Sequence, residues 1–473
     1  MTQNLWTASE IAAATSGRAS SDFNVNGISI DTRSLQPGDL FVALSAARDG
    51  HDFVAAALAA GAAGALVSRV PDGVAADAPL IMVPDVQTAL HDMGRAARLR
   101  TKARVAAITG SVGKTTTKDM LCVLCAQQGR SHASVASYNN HWGVPLTLAR
   151  MPRDTDYAVI EIGMNHPGEI APLAQMAQPD VALVTTVAPA HLEAFGSLAG
   201  IADEKAAIFT GLSPNGTAIY FADLPTSDRL ANVAKHHAQT VIGFGADHGD
   251  ARLLSVQDDG VQLQCRAIIA DQAVEFSLTA RGLHFAMNAL GVLCAARALG
   301  LDLRAAAKDL SLWTPEGGRG AIYDVALQNG TLRVVDDAYN ANPASMAAAI
   351  ETLAQLPATR RIAVLGDMKE LGPDAAQLHA QLADLPAMQQ IDQVHTVGPL
   401  AQSLNMALPK SRQGLHVDRA QDLMPDVPNQ LQAGDAVLVK ASNSMGLRQI
   451  VDLIRQLGQT DINTTPITMK ERE

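Results

Sequence analysis

The stretch Arg104-Val105-Ala106-Ala107-Ile108-Thr109-Gly110-Ser111-Val112-Gly113-Lys114-Thr115-Thr116-Thr117 reads as an apolar strand running straight into a glycine turn. The residues that follow, 115–128, predict a helix stopped by Gly129. In this order the elements aim successive backbone N–H groups and the positive end of a helix at one spot, which suits phosphate oxygens. Gly110 and Gly113 permit the turn, Lys114 would reach the phosphates of a nucleotide, and the Thr115 hydroxyl would ligate Mg²⁺. The common pattern G-x-x-x-x-G-K-S/T asks for glycine at position 108, where this chain has Ile108. The alternative is a plain strand-to-helix turn with an incidental lysine.

Outward from that stretch, apolar strands at 157–162, 181–187 and 217–221 alternate with helical segments, as a mostly parallel sheet requires. Glu161 ends the first of them at the sheet edge where ligands bind, so its carboxylate is a candidate for the same Mg²⁺. His191 follows the second and reads either as a metal ligand or as a loop histidine bonded to backbone. Residues 252–279 switch to period-two alternation around Asp258-Asp259-Gly260, which predicts antiparallel hairpins at the edge of the same domain. Upstream, short strands at 24–33 and 39–45 mix with Ala-rich helices, Thr7 and Glu10 have capping-box spacing, and a long helix starts near Asp85. Downstream, the Pro- and Gly-rich residues 313–320 look like a linker. Strands at 332–337, 361–366, 393–398 and 435–440, each followed by a helix, then predict an open doubly wound sheet. The expected architecture is therefore α/β in three domains: a small α/β domain over 1–103, a central P-loop domain with an antiparallel edge over 104–314, and a Rossmann-like domain over 315–458. A polar tail covers 459–473.

The net charge of -11 argues against a broad grip on nucleic acid or anionic lipid. The most basic stretch, Arg95, Arg98, Arg100, Lys102 and Arg104, reads as a solvated face. No basic segment precedes an apolar run at the start, and the longest apolar stretch, 54–67, is too short to span a bilayer. The four cysteines include a C-x-x-C at Cys122 and Cys125, but no second pair completes a zinc site, so buried reduced thiols are the reading. A cytoplasmic monomer is the expectation.

Four motifs together, TGSVGKTTTK (109–118), YNNHWGVPLTL (138–148), EIGMNHPGEI (161–170) and AHLEAFGS (190–197), resemble the Mur ligases, whose loop has the form T-G-S/T-x-G-K-T. In that family position 108 needs no glycine. IDTRSLQPGDLFVAL (30–44), DDAYNANPASM (336–346) and VLGDMKELG (364–372) narrow the resemblance to the branch that joins D-alanyl-D-alanine to UDP-N-acetylmuramoyl-tripeptide. The resemblance implies ATP and Mg²⁺ as cofactors and an acyl phosphate as intermediate. It implies that Thr109, Gly110, Ser111, Val112, Gly113, Lys114, Thr115 and Thr116 hold the nucleotide phosphates, with Glu161 on the metal. Asn288 would bond the adenine, while Arg319 and Asp337 would serve phosphates and ribose across the closing third domain. Lys205 aligns with a lysine that some members carry as a carbamate, able to share a second Mg²⁺ with His191; an exposed helical lysine beside Asp203 and Glu204 is the other reading. Asp31, Thr32, Arg33 and His51 would hold the UDP end, and Asn139, Asn140, Asn340, Asn342 and Lys440 the rest of the substrates. The chain departs from the family at Lys440-Ala441-Ser442-Asn443, where K-G-S-R is usual. Other outcomes are a folylpolyglutamate- or cyanophycin-type ligase of the same superfamily, and a nucleotide-gated binding protein.

Overall fold

The computed structural model describes residues 4–135, 137–259 and 262–460. Most of the expected polar tail, 461–473, and Gly260 of the predicted turn lie outside the described residues. The chain divides into two compact units: residues up to 185 with 202–251 and 291–309, and residues 186–201, 252–290 and 310 onward.

Besides one two-stranded pair, the first unit carries two sheets. The smaller has the order Arg18–Ala19, Leu80–Met82, Gly64–Val67, Asp39–Val42, Gly27–Ser29, parallel except for its first strand. The single strand expected at 24–33 is broken in two. Asn24–Val25 leaves to pair antiparallel with Trp6–Thr7, and Gly27–Ser29 joins the main sheet. At Gly27 a Cβ would fall 2.2 Å from the Asp39 carboxylate of the neighbouring strand, so a larger residue there would require that side chain to turn away. The larger sheet runs Thr240–Gly245, Thr217–Phe221, Val181–Val184, Arg104–Thr109, Tyr157–Glu161, Ser131–Ala133, with every one of these pairings parallel. Its strands are near-continuous apolar runs because helices cover both faces. The P-loop strand Arg104–Thr109 is central and buried from Val105 onward.

The two sheets are joined through helices. Asp85 caps helix Val86–Leu99 by accepting from Thr88 N at 2.7 Å, as the sequence signals. Gly94 in that helix faces helix Gly143–Ala149 so closely that a Cβ there would lie 3.0 Å from Pro145 Cα. Trp6 donates from its indole to Ala149 O at 2.8 Å, and the Arg100 guanidinium stacks 3.6 Å from the Trp6 ring. Arg98 donates to Ala177 O and Gln178 O. The basic stretch is therefore not simply a solvated face: two of its members are internal struts, and burial pushes Arg100 down to about 10.

The second unit holds the antiparallel hairpins and the third sheet. Leu263–Ile269 pairs antiparallel with Ala251–Asp258 on one side and Gln272–Leu278 on the other, as the alternation predicts. The third sheet has the order Ala321–Leu327, Gly330–Asp337, Asp435–Lys440, Arg360–Gly366, Gln393–Val397, Gln413–Val417. All its neighbours are parallel except the first pair, a hairpin turning at Gln328 and Asn329. Alternation along the central strand decides its two faces. Ala363 and Leu365 pack with helix Pro343–Gln355, whereas Ile362 and Val364 pack with Ile450, Val451 and Ile454 of helix Arg448–Thr460. The sheet is thus doubly wound. Residues 313–320 are pinned rather than a loose linker: Trp313 is buried against Phe285, and Gly318 N and Gly320 N donate to Asp336.

Among the described residues no helix is long and apolar enough to cross a membrane. All four cysteines are free thiols; Cys125, Cys265 and Cys294 are buried and burial pushes Cys122 up to about 12.

Candidate active site

Gly110 stands at φ 151° and Gly113 at φ 83°, values that disfavour any side chain, and Gly113 caps helix Lys114–Gln128. The loop can therefore fold over the helix end. Lys114 reaches back across it, donating from Nζ to Gly110 O at 2.8 Å. Thr185 anchors the loop from the neighbouring strand end: its hydroxyl donates to Val112 O at 2.5 Å and its N–H to Thr109 O at 2.9 Å. Ile108 is wholly buried in register with Glu161, so the strand continues where a Walker-type glycine would start the loop. Thr115 and Thr116 are buried in the first turn, while Ser111 and Val112 are partly exposed at the tip.

Glu161 is wholly buried at the end of its strand. Its Oε2 accepts from the Thr115 hydroxyl at 2.9 Å and its Oε1 from the Asn139 amide at 2.7 Å. Gly163 makes room for this arrangement, because a Cβ there would meet Asn139 Oδ1 at 2.6 Å. A buried carboxylate and hydroxyl meeting at the phosphate loop form a hard oxygen donor set. That suits Mg²⁺, which takes one or two carboxylates and fills its shell with phosphate and water. Among the described residues no group of three or more His, Cys, Asp or Glu side chains converges as a full metal cage.

Lys205 sits in helix Leu198–Ala206 and is 1% exposed, which rules out the exposed-lysine reading. Burial and the neighbouring Lys114 cation push its amine well below the ordinary 10.5, against the pull of Glu204 and Glu161. Glu204 is itself fixed, accepting from Gly168 N at 2.8 Å and Ile170 N at 2.9 Å at the start of helix Ile170–Ala177. Asn140 accepts from Gly143 N at 2.9 Å and shapes the turn into helix Gly143–Ala149. In the first sheet, Asp31 and Arg33 form a turn: Arg33 donates from its backbone N–H at 2.9 Å and from its guanidinium at 2.5 Å, and this holds the Asp31 carboxyl down at about 2. Arg33 remains exposed and Thr32 partly so. His51 is buried with both ring nitrogens engaged, Nδ1 2.7 Å from Asp49 Oδ1 and Nε2 accepting from Ser68 N at 3.0 Å.

In the second unit, the ends of Gly330–Asp337 and Asp435–Lys440 lie side by side with Asp337 opposite Lys440. The chain order of the parallel strands breaks at this point, which is where open α/β sheets leave a crevice. Lys440 is buried and donates to Asp337 Oδ2 at 2.6 Å and to Asn340 O at 2.9 Å. Its charge orients the aspartate. Arg319 projects from the Gly318–Gly320 turn to lie 4.0 Å from the Tyr339 ring, the turn being held by the buried Asp336. Asn340 is exposed, whereas Asn342 is buried as the N-cap of helix Pro343–Gln355, accepting from Ser345 N at 2.9 Å. Asn288 is partly buried in helix Leu283–Ala298. His191, at φ 59°, has Nδ1 2.6 Å from Glu370 Oε2.

The structure therefore brings Lys114, Thr115, Glu161 and Lys205 to one end of the first unit's large sheet, and Arg319, Asp337 and Lys440 to one end of the third sheet. Asn342 and His51 have their side chains occupied internally. Sequence reading did not give Asn139 as a partner of Glu161, nor Thr185, Asp336 and Glu370. Asp336 and Glu370 are the two of these that stand in a quoted motif with a charge.

Three family models match the chain: the Mur ligase family catalytic domain at residues 24–98, the Mur ligase middle domain at 108–296, and the Mur ligase glutamate ligase domain at 322–443. A UDP-N-acetylmuramoyl-tripeptide–D-alanyl-D-alanine ligase of Rickettsia prowazekii is 33% identical, with 95% of this chain and 99% of that protein covered. The crystal structure of MurF from Acinetobacter baumannii superposes with a TM-score of 0.83 at 29% identity, covering 95% of this chain and 98% of that one. The MurF ligase of Thermotoga maritima, solved in complex with ADP, gives a TM-score of 0.79 at 26% identity over 92% and 98% of the two chains.

Proposed function

The chain belongs to the Mur ligase family, and from that premise we propose how its residues carry out ATP-dependent addition of D-alanyl-D-alanine to UDP-N-acetylmuramoyl-tripeptide in peptidoglycan precursor synthesis. The observation that carries the site assignment is the buried Glu161 carboxylate, gripped by the Thr115 hydroxyl and the Asn139 amide beside the phosphate loop.

The loop N–H groups of 110–116 bind the nucleotide phosphates, and Lys114 exchanges its hold on Gly110 O for a phosphoryl oxygen. Thr115 and Glu161 hold Mg²⁺. When bound, that ion neutralises charge on the transferring phosphoryl group. The tripeptide carboxylate attacks the γ-phosphorus of ATP, its oxygen bonding to phosphorus as ADP leaves. The amine of D-alanyl-D-alanine then attacks the acyl carbon, and inorganic phosphate departs with the amine losing a proton. Lys114 stabilises charge on the phosphoryl oxygens in the first of these steps.

Lys205, buried and inclined to the neutral amine, has the form that reacts with CO₂ to give a carbamate, with His191 as companion ligand for a second ion. Asn288 is assigned to adenine, Arg319 to phosphate and Asp337 to ribose. Arg33, exposed and permanently charged, suits the UDP diphosphate together with Asp31 and Thr32. Asn140 and Asn340 complete the substrate contacts. ATP use and a nucleotide-linked substrate support a cytoplasmic setting, and we carry a monomer forward as the simplest working assembly.

The test is purified protein with Mg-ATP, UDP-muramoyl-tripeptide and D-alanyl-D-alanine, followed by phosphate release and pentapeptide product. Phosphate release indifferent to both substrates would sink the assignment. Hydroxylamine should trap an acyl hydroxamate when the dipeptide is left out. Lys114→Ala should lose at least 100-fold in turnover, an estimate of about the size seen when one charge-stabilising donor is removed, with its melting temperature close to wild type.

A further inference from the structure

His191 and Glu370 are two of the six described non-glycine residues with positive φ, at 59° and 64°. Histidine is tolerated there better than most residues, but glutamate has no such excuse. A left-handed glutamate persists only when its surroundings fix it, which makes what fixes it the question here. Here the two left-handed residues face each other, Nδ1 of His191 lying 2.6 Å from Glu370 Oε2. Their loops are also in contact one step further on. Gly372, at φ 71°, would put a Cβ 3.6 Å from Glu193 Cα.

The Glu370 loop is rigid for reasons that do not involve His191. Asp367 is wholly buried and accepts from Leu400 N at 3.0 Å, Ala401 N at 2.8 Å and Lys369 Nζ at 2.8 Å. Met368 N donates to the buried His379, and Lys369 N to Ser442 Oγ. Glu370 thus projects from a platform fixed over the three residues before it, whereas the 190–197 segment is a short loop and one turn of helix, Leu192–Phe195.

We propose that Glu370 is a positioning residue for His191: its carboxylate accepts the Nδ1 proton, which fixes the imidazole tautomer and presents a bare Nε2 lone pair to the reacting groups. An imidazole left to itself prefers the proton on Nε2, the atom that would then be blocked as a ligand or acceptor. A carboxylate on the other nitrogen reverses that preference and fixes the ring plane. The idea rests on the assignment of His191 under the proposed function, and it adds a reason for the glutamate at position 370.

The experiment is nitrogen NMR of histidine-labelled full-length protein without nucleotide or metal, with the His191 signal assigned through His191→Asn. Wild type should show His191 protonated on Nδ1. Glu370→Ala should move the proton to Nε2 and lower turnover about 10- to 100-fold, the usual cost of losing a partner of this kind. Glu370→Gln, which keeps an acceptor oxygen, should retain the wild-type tautomer and most of the turnover, and it remains informative if the alanine variant fails to fold. An unchanged tautomer in Glu370→Ala, or a changed tautomer with unchanged turnover, overturns the proposal. Because the tautomer is read without substrates, a failure of the ligase assay would leave this result standing by itself.

Discussion

At the scale of single residues, Lys205 has the largest electrostatic consequence. Its amine is buried beside the Lys114 cation, and both push its pKa below 10.5. A lysine with a folded pKa below its unfolded one binds fewer protons in the native state, so stability rises with pH between the two values and the deficit is full below them. Lys205→Met removes that deficit while preserving most of the volume. In CO₂-free buffer at about pH 7 the methionine variant should melt above wild type, and the gap should close as pH climbs towards 10.5. A gap of constant size would mean that the amine meets no such penalty. In the second unit, the departure at Ala441 has a simple accommodation: Ala441 is buried, and Gly366 opposite it lacks the β-carbon that would otherwise lie 2.7 Å from that of Ala441.

At the scale of elements, helix Pro343–Gln355 depends on its first turn. Asn342 and Ser345 cap each other reciprocally, with proline at the first helical position. Asn342→Ala should cost about 1 kcal/mol in denaturant unfolding, and Asn342→Ser should recover most of it. A cap role predicts that KM for D-alanyl-D-alanine is unmoved in the serine variant; a raised KM there would return Asn342 to the substrate site. The strand, glycine loop and helix at 104–128 follow local rules and were readable to within a residue or two. The hairpin Ala321–Leu327 with Gly330–Asp337 lies outside the sequence expectations although Asn329-Gly330 is a turn signal, because its first strand, AIYDVAL, follows a Pro- and Gly-rich stretch and has no helix after it. Contacts such as Asn139 with Glu161, 22 residues apart, or His191 with Glu370 arise only when loops from separate strands meet. No periodicity encodes them. The burial of Lys205 was equally hidden, since its neighbours Asp203 and Glu204 read as solvent-facing, whereas Glu204 is turned inward to a helix start.

At the scale of the molecule, the first unit is one body because Trp6, Arg100 and Gly94 lock the small sheet to the P-loop sheet. Trp6 is 2% exposed and spans the join with an indole hydrogen bond on one side and a guanidinium on its face. Trp6→Ala should lower the unfolding free energy by about 3–5 kcal/mol. The loss should appear in the same transition that releases bound nucleotide; a separate early transition with nucleotide binding intact would show that the sheets melt independently. The cysteines have a practical consequence for such measurements. Cys122 and Cys125 lie within the P-loop helix and Cys265 within the antiparallel strands of the other unit, each a thiol that burial keeps protonated at neutral pH. A thiol-reactive dye therefore becomes a built-in clock for opening, one that times the nucleotide-binding helix and the hairpin layer separately in the natural chain without an engineered label.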